Sequence, residues 1–271
     1  MKRNRSHPLE IWTESAGVKL RAHVWHQDAL QRPLVFLNGI GTSLETAAPL
    51  ARQFPSRPFI ALEMPGAGQT PMTTMPLPPV GLARIAVSLL EDMGINRFQL
   101  MGLSLGGALA QQIAIQYRPR VERLILAATC SGLTMLPADW SEAQLWRTMN
   151  PFAAMMDDLI QDLSHAHLNG VALLNTHALL NQWTSFMAWS SLPFLPMISA
   201  PTLILAGSRD RIIPPNNALQ LAALIRNSEH RILPDAGHLF PFTEPERTAS
   251  HIERFLTGYA PEADDVVMES A

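Results

Sequence analysis

A serine, an aspartate and a histidine in this 271-residue chain have the types and the order that nucleophilic catalysis requires. Ser104 stands midway between Gly102 and Gly106, a spacing typical of a sharp strand-to-helix turn that presents a serine hydroxyl. A serine attacks only when a neighbouring base accepts its proton, and that base needs an acidic partner to fix its tautomer. Asp210 and His238 follow Ser104 in the chain order that accompanies this turn, so the sequence predicts a catalytic triad.

Each of the three residues follows a segment that predicts a strand. These segments lie at 98–101, 202–206 and 230–233, of which the first two are mainly apolar, and helix-forming stretches alternate with them. Such alternation predicts the α/β class, a mostly parallel sheet flanked by helices. The carboxyl ends of parallel strands meet at one edge of the sheet, so the three side chains are expected at that edge.

The rest of the chain supplies the other predicted elements. Alternating apolar and polar residues at 9–14 and 19–26 predict an antiparallel hairpin. A continuous apolar run at 34–37 and mainly apolar segments at 58–62 and 121–128 predict the remaining parallel strands. Apolar residues at helical spacing predict helices at 42–54, 81–93, 105–117, 214–226 and 243–256. The first and last of these helices open on Thr-x-x-Glu patterns, which predict capping boxes.

A second acidic residue, Asp235, precedes His238 by only a few positions. So short a separation does not readily turn its carboxylate onto the imidazole. Asp210 is therefore the predicted acid of the triad, and Asp235 ranks well below it.

The tetrahedral intermediate of acyl transfer needs two aligned N–H donors, since loss of one donor lowers the rate by about 10²–10³. The backbone N–H of Leu105, directly after the serine, is predicted to be one of them. The second is expected from the loop at 38–41, where Ile40 is best placed. The glycines on either side of Ile40 are also explained as turn formers.

The composition argues against several other classes of function. A net charge of −3 without a lysine or arginine cluster gives no reason to expect nucleic acid or an anionic membrane as a partner. The single Cys130 excludes an internal disulfide and a thiolate metal site, and no metal or dinucleotide motif suggests a cofactor. The basic N-terminus lacks the apolar segment of a secretory signal, and no apolar run is long enough for a membrane span. These features predict a cytoplasmic location.

The alternation of strands and helices stops between residues 131 and 199. This segment has helical periodicity and is rich in methionine and tryptophan, which predicts a helical insertion. Residues 1–130 and 200–259 then form the core of the protein. The acidic stretch at 260–271 is expected to be a flexible tail.

Across nearly its whole length the chain resembles α/β-hydrolases, with residues 131–199 as the cap that follows the sixth strand of that fold. The turn at 63–68 is similar to the family's Asp-x-Pro-Gly-x-Gly turn, with Glu63 in place of aspartate. Four segments resemble, more narrowly, the intracellular medium-chain-length poly(3-hydroxyalkanoate) depolymerases: 38–41, 106–112, 126–129 and 237–240. One departure from those depolymerases is Leu105, where they carry tryptophan.

The resemblance implies serine-catalysed ester hydrolysis without a cofactor, on 3-hydroxyacyl esters or a polyester. By its motifs Ser104 would be the nucleophile, Asp210 the acid and His238 the base. Most of the large apolar residues of the cap are expected to pack inside it. An apolar cap over the sheet edge nevertheless predicts a pocket for an acyl chain rather than for a charged headgroup.

We therefore expect a serine hydrolase that cleaves a hydrophobic carboxylic ester, small or polymeric, through an acyl-Ser104 intermediate. Three alternatives stay open at this point. The same triad can transfer the acyl group to an alcohol, thiol or carrier protein, or hydrolyse a carbon–carbon bond, and the scaffold can serve as a non-catalytic binding protein. The sequence carries no signal for acyl length or oligomeric state.

Overall fold

The computed structural model describes residues 7–15, 17–137 and 176–258, whose strands form one eight-stranded sheet. The strands are β1 (Leu9–Ser15), β2 (Val18–Trp25), β3 (Leu34–Leu37), β4 (Phe59–Glu63), β5 (Phe98–Leu103), β6 (Val121–Ala127), β7 (Thr202–Gly207) and β8 (Ser228–Leu233). Their order across the sheet is β1-β2-β4-β3-β5-β6-β7-β8. The pairs β1–β2 and β2–β4 are antiparallel and the other pairs are parallel, which confirms the predicted fold class.

Helices cover both faces of this sheet. They are α1 (Ala48–Ala51), α2 (Pro79–Asp92), α3 (Leu105–Gln116), α4 (Thr176–Phe186), α5 (Asn216–Leu224), α6 (Phe240–Thr243) and α7 (Pro245–Thr257). Short 3₁₀ turns lie at Leu44–Ala47, Arg118–Arg120 and Leu192–Met197. Within the described ranges, no helix has both the length and the apolar character that crossing a membrane would need.

The central parallel strands are buried on both sides, because successive residues of a strand point to opposite faces and helices cover both; β8, at the edge of the sheet, is largely exposed. In β3, Val35 and Leu37 pack with residues of α2, α3 and α5 on one face. Leu34 and Phe36 pack on the other face with residues of α1, α6 and α7. This double burial explains why the central strands are continuous apolar runs in the sequence, whereas β1 alternates.

The two predicted capping boxes are wrong. Thr42 donates its hydroxyl to the carbonyl of Gly39 (2.8 Å), and Glu45 accepts from Arg21 (2.8 Å). The chain after β3 therefore forms a 3₁₀ turn and then the short helix α1, rather than one helix to residue 54. Thr243 ends the preceding helix α6, and α7 begins beyond it. The Thr243 hydroxyl donates back to the Leu239 carbonyl (3.4 Å), so neither threonine caps the helix that follows it.

The two ends of the segment predicted as a cap, 131–199, lie next to each other at the core. Gly132 and Ser190 form an antiparallel bridge there, and α4 belongs to this segment. Residues 138–175 and the predicted tail at 260–271 lie outside the described residues. The domain boundaries drawn from the sequence therefore stay predictions.

The junction between β5 and α3 has no room for side chains at two positions. A β-carbon on Gly102 would lie 2.3 Å from the carbonyl oxygen of Gly106. A β-carbon on Gly106 would lie 2.1 Å from the carbonyl oxygen of Leu37 in β3. Both distances are far below contact distance and both neighbours are backbone atoms, so only glycine lets the helix start this close to two strands.

We expect Gly106→Ala to lower the free energy of unfolding by about 2–4 kcal/mol, because the added carbon must displace backbone. Gly81→Ala is the matched control, since its nearest neighbour atom would be 3.8 Å away. That variant should be neutral or stabilising by up to about 1 kcal/mol, because Gly81 lies in helix α2. Urea unfolding measures both changes, and equal stability of the two variants would contradict the steric argument.

Candidate active site

Ser104 occupies the turn between β5 and α3 in a strained backbone conformation. Its φ of 55° and ψ of −120° are unusual for a residue with a side chain. The Thr129 hydroxyl donates to the Ser104 carbonyl at 2.7 Å. Gly39 packs against the serine, where a β-carbon on the glycine would lie 3.4 Å from the Ser104 β-carbon. The strained turn is thus held by contacts to two other segments of the core.

Asp210 and His238 are in direct contact. The Asp210 Oδ2 atom and the His238 Nδ1 atom are 2.8 Å apart, and both side chains are buried. The other carboxylate oxygen of Asp210 accepts the backbone N–H groups of Ile212 (2.9 Å) and Ile213 (2.8 Å). With the carboxylate fixed in this way, Nδ1 of the imidazole is the donor to Asp210, and Nε2 is left as the basic nitrogen.

The loops that carry this pair pack on each other. The Arg209 N–H donates to the Ala236 carbonyl at 2.9 Å. At the end of β7, a β-carbon on Gly207 would lie 2.3 Å from the same carbonyl oxygen. Asp235 points to solvent instead, with its side chain 74% exposed and paired with Arg209. The carboxylate next to the imidazole is therefore that of Asp210.

Ser104 lies at the same sheet edge as the Asp210–His238 pair. Three backbone hydrogen bonds step along this edge from β5 to β8, with N–O distances of 2.9, 2.9 and 3.0 Å: Ser104 N–H to Ala127, Ala128 N–H to Leu205, and Ser208 N–H to Leu233. The edge is the carboxyl end of the parallel strands, where the fold places ligands.

Leu105 and Ile40, the two predicted oxyanion donors, lie on either side of this turn. Leu105 is the first residue of α3, and Ile40 is buried in the loop after β3. Within the described part of the chain, the backbone N–H of neither residue donates to a protein acceptor. Free amides at a helix start next to a nucleophile are the arrangement that stabilises an oxyanion.

Gln182, which no sequence motif marks, joins this loop to helix α4. Its side-chain oxygen accepts the backbone N–H of Gly41 at 3.1 Å, and its side-chain nitrogen donates to the Pro65 carbonyl at 3.1 Å. The Gln182 side chain is buried. Both partners are backbone atoms of loops far away in sequence, so no local pattern could have revealed the contact.

Glu63 replaces the aspartate of the family's turn without breaking it. The carboxylate is fully buried and accepts the backbone N–H of Leu44 (3.2 Å) and of Thr70 (3.0 Å), with Arg21 3.7 Å away. Burial raises the pKa of the Glu63 carboxyl, and these donors act against that rise. A β-carbon on Gly68 would lie 2.0 Å from the Glu63 oxygen, so the glycine makes room for the longer acid.

A narrow cavity of about 30 Å³ lies next to the turn at Ser104. Gly39 and Leu105 line one end of it, and Gln182 and Phe186 of α4 cover it. Most of its other wall residues are apolar: Met64, Pro65, Ala67, Leu77, Leu82 and Leu109. Among the wall residues that the structure describes there is no lysine, arginine or histidine.

The structure gives no support for a cysteine nucleophile or a metal site within its described residues. Burial raises the pKa of the Cys130 thiol to about 11, so it is protonated at neutral pH. In residues 7–15, 17–137 and 176–258, no group of three or more His, Cys, Asp or Glu side chains is placed to hold a metal ion.

Comparisons with known proteins agree with the fold. Residues 34–251 match the model of the alpha/beta hydrolase family. The poly(3-hydroxyalkanoate) depolymerase of Ectopseudomonas oleovorans is 32% identical over 240 residues, which cover 83% of this chain and 84% of that protein. A 2-hydroxy-6-oxononadienedioate/2-hydroxy-6-oxononatrienedioate hydrolase of Escherichia coli K12 is 29% identical, over 83% of this chain and 87% of its own. The solved enol-lactonase of Burkholderia xenovorans LB400 superposes with a TM-score of 0.77 at 19% identity, over 91% of this chain and 100% of its own.

We expect Gln182→Leu to lower kcat for ester hydrolysis about 10- to 100-fold with a smaller change in KM, because the loop that carries the Ile40 amide loses a fixing contact. Thr184→Ala is the control on the same helix, since that side chain is exposed and bonds only within α4. Steady-state kinetics of both variants provides the measurement. A kcat of Gln182→Leu within about twofold of the wild-type value would show that the contact has no role in positioning.

Proposed function

We propose that this chain, which belongs to the α/β-hydrolase family, is a serine hydrolase that cleaves a hydrophobic carboxylic ester. The observation that carries the proposal is the buried Asp210–His238 hydrogen bond, at the same sheet edge as the left-handed turn at Ser104. A charged partner, an imidazole and a serine hydroxyl in that order are what ester hydrolysis through an acyl-enzyme needs. The similarity to a depolymerase of a polyester supports the same reaction class.

In the acylation step, the Ser104 hydroxyl attacks the ester carbonyl while His238 Nε2 accepts its proton. The carboxylate of Asp210 stabilises the imidazolium that forms, through the 2.8 Å hydrogen bond to Nδ1. The backbone N–H groups of Leu105 and Ile40 donate to the developing oxyanion. The carbon–oxygen bond to the leaving group then breaks, and His238 gives its proton to the departing alkoxide, which leaves as an alcohol.

In the deacylation step, a water molecule attacks the acyl-Ser104 carbonyl and His238 accepts the proton of that water. The bond between the acyl carbon and Ser104 Oγ breaks, and the proton returns from His238 to the serine oxygen. One ester and one water thus yield one carboxylic acid and one alcohol, with the enzyme regenerated.

The cavity beside the nucleophile supports an apolar acyl group. It runs from Gly39 and Leu105 toward the apolar side chains of Leu82, Leu109 and Phe186. At about 30 Å³ it holds only a small group, so an acyl chain of several carbons fits when α4 moves away from the core. This motion would break the hydrogen bonds of Gln182 to Gly41 and Pro65. Acyl binding and the position of the loop that carries Ile40 would then depend on each other.

Cleavage of a carbon–carbon bond in an unsaturated dicarboxylic acid is the second candidate, because the Escherichia coli relative is named for such a dioate. A dioate brings two carboxylates into the site. Buried carboxylates need cations or several donors to offset the loss of water. The described wall of the cavity offers no cationic side chain, so a neutral ester is the better fit.

We expect Ser104→Ala to lower kcat/KM for p-nitrophenyl acyl esters at least about 10³-fold, because the nucleophile is lost. Asp210→Asn should act in the same direction by favouring the wrong imidazole tautomer. Asp235→Asn is the matched control, since the Asp235 carboxylate lies at the surface. Nitrophenolate release measures all three variants, and near-wild-type turnover by Ser104→Ala would refute the mechanism.

The same esters, incubated with an alcohol or thiol acceptor, separate hydrolysis from acyl transfer. A hydrolase yields the free acid as its main product, whereas a transferase yields mostly the new ester or thioester. Chromatography of the products decides between them.

We expect a fluorophosphonate to label Ser104 and abolish activity, whereas iodoacetamide at neutral pH leaves activity intact. The reason is that Cys130, with its pKa of about 11, has almost no thiolate at that pH. Mass spectrometry of the labelled peptide and residual activity are the two measurements. Inactivation by iodoacetamide that Cys130→Ser prevents would contradict the raised pKa of Cys130, and a fluorophosphonate adduct on a residue other than Ser104 would contradict the assignment of the nucleophile.

A further inference from the structure

Asn38 is a buried polar residue at the end of β3, directly before the loop that carries Ile40. It lines the cavity, yet only 6% of its surface is exposed. Its side-chain nitrogen donates to the backbone carbonyl of Ser43 at 2.7 Å. This hydrogen bond identifies the nitrogen and fixes the orientation of the amide, so that the amide oxygen faces away from the Ser43 carbonyl.

The amide oxygen of Asn38 has no donor within the described part of the chain. Buried acceptors in folded proteins are almost always paired, because an unpaired one has lost its water without compensation. The other buried side-chain atoms in this condition belong to Arg21, His23, His26 and Arg120, and none of these residues lines the cavity. Asn38 is thus the member of this group that lines the cavity, and its amide oxygen is itself shielded from solvent, so a substrate group meets it only when α4 moves away as acyl binding requires.

Asn38 also lies next to the reacting centre. The following residue, Gly39, packs so closely on the nucleophile that a β-carbon there would lie 3.4 Å from the Ser104 β-carbon. Ile40, one residue further on, carries the proposed oxyanion donor. A substrate group that meets the Asn38 oxygen is therefore expected within a few bonds of the ester carbonyl.

We propose that Asn38 Oδ1 accepts a hydrogen bond from a hydroxyl group on the acyl part of the substrate, close to the scissile carbonyl. Asn38 is then a specificity-determining residue, and this inference rests on the ester hydrolase function proposed above. An acyl group without a donor leaves the oxygen unpaired, and an ether at the same position places a second acceptor against it.

The donor requirement also distinguishes the units of a polyester. In a chain of 3-hydroxyacyl units, the oxygen on the third carbon of an interior unit is esterified and has no proton to donate. Only the unit at the hydroxyl end keeps a free hydroxyl beside its own carbonyl. The proposal therefore implies cleavage of single 3-hydroxy acids from the hydroxyl end, rather than cleavage at interior positions.

The test compares three p-nitrophenyl esters of one chain length that carry a 3-hydroxyl, a 3-methoxy or no substituent. The methoxy ester is the matched control, since it resembles the hydroxy ester in size and electron withdrawal but cannot donate. The wild-type protein should have a kcat/KM for the hydroxy ester about tenfold or more above that for the methoxy ester. A ratio below about twofold overturns the proposal.

Two variants assign the preference to the amide oxygen. Asn38→Leu and Asn38→Asp both lose the donor to Ser43, but the aspartate keeps an acceptor oxygen. The hydroxy-to-methoxy ratio should collapse in Asn38→Leu and persist in Asn38→Asp. If Asn38 only anchors the loop, both variants lose activity on all esters with the wild-type ratio unchanged, and the proposal fails.

The wild-type comparison stands on its own where a variant does not fold. The outcome also separates this inference from the function on which it rests. Hydrolysis of all three esters at similar rates overturns the role of Asn38 alone. If the wild-type protein hydrolyses none of the three esters, and so does not differ from Ser104→Ala, the ester hydrolase function is overturned as well.

Discussion

The close approach of helix α3 to strands β3 and β5 is the constraint on which the site depends. At Gly106 the helix backbone lies so near β3 that any β-carbon would overlap the Leu37 carbonyl. Gly107 is also restricted, since a β-carbon there would lie 2.5 Å from the side chain of Thr129. Because the helix starts this close to both strands, the turn that connects it to β5 must be sharp. The positive φ of Ser104 accompanies this sharp turn.

Hydrogen bonds from buried polar side chains hold the loops next to the Ser104 turn in place. Backbone N–H and carbonyl groups of a buried loop must find partners. Glu63 pairs with amides of the 3₁₀ turn after β3 and of the loop after β4, and Gln182 pairs with Gly41 and Pro65 of the same two segments. The loop with Ile40 is thus fixed from the core by a carboxylate and from α4 by an amide. Its geometry depends on where α4 lies.

The strands could be predicted from the sequence because a strand buried on both faces needs an unbroken apolar run, as at Leu34–Leu37. The turn at Ser104 could be predicted because a side chain at position 102 or 106 would clash with nearby backbone, so the glycines in the sequence indicate the close packing directly. Both features are local. The first capping box failed because Glu45 bonds with Arg21, which belongs to another strand. Gln182 could not be found for the same reason, since its partners lie far away along the chain.

The division of the site between core and insertion has a consequence for how such an enzyme changes substrate. The turn at Ser104, the Asp210–His238 pair and Asn38 all belong to strand ends of the core, and in the proposed function they meet the substrate at and beside the carbonyl. The far end of the cavity is formed by α2, α3 and the side chains of α4, including Phe186. If the cavity holds the acyl group as proposed, substitutions in α4 would alter the preferred acyl length without touching the groups proposed to break the bond. Gln182 is the exception, because it lies on α4 and yet holds a loop of the core, so a change of specificity through this helix acts on the rate as well.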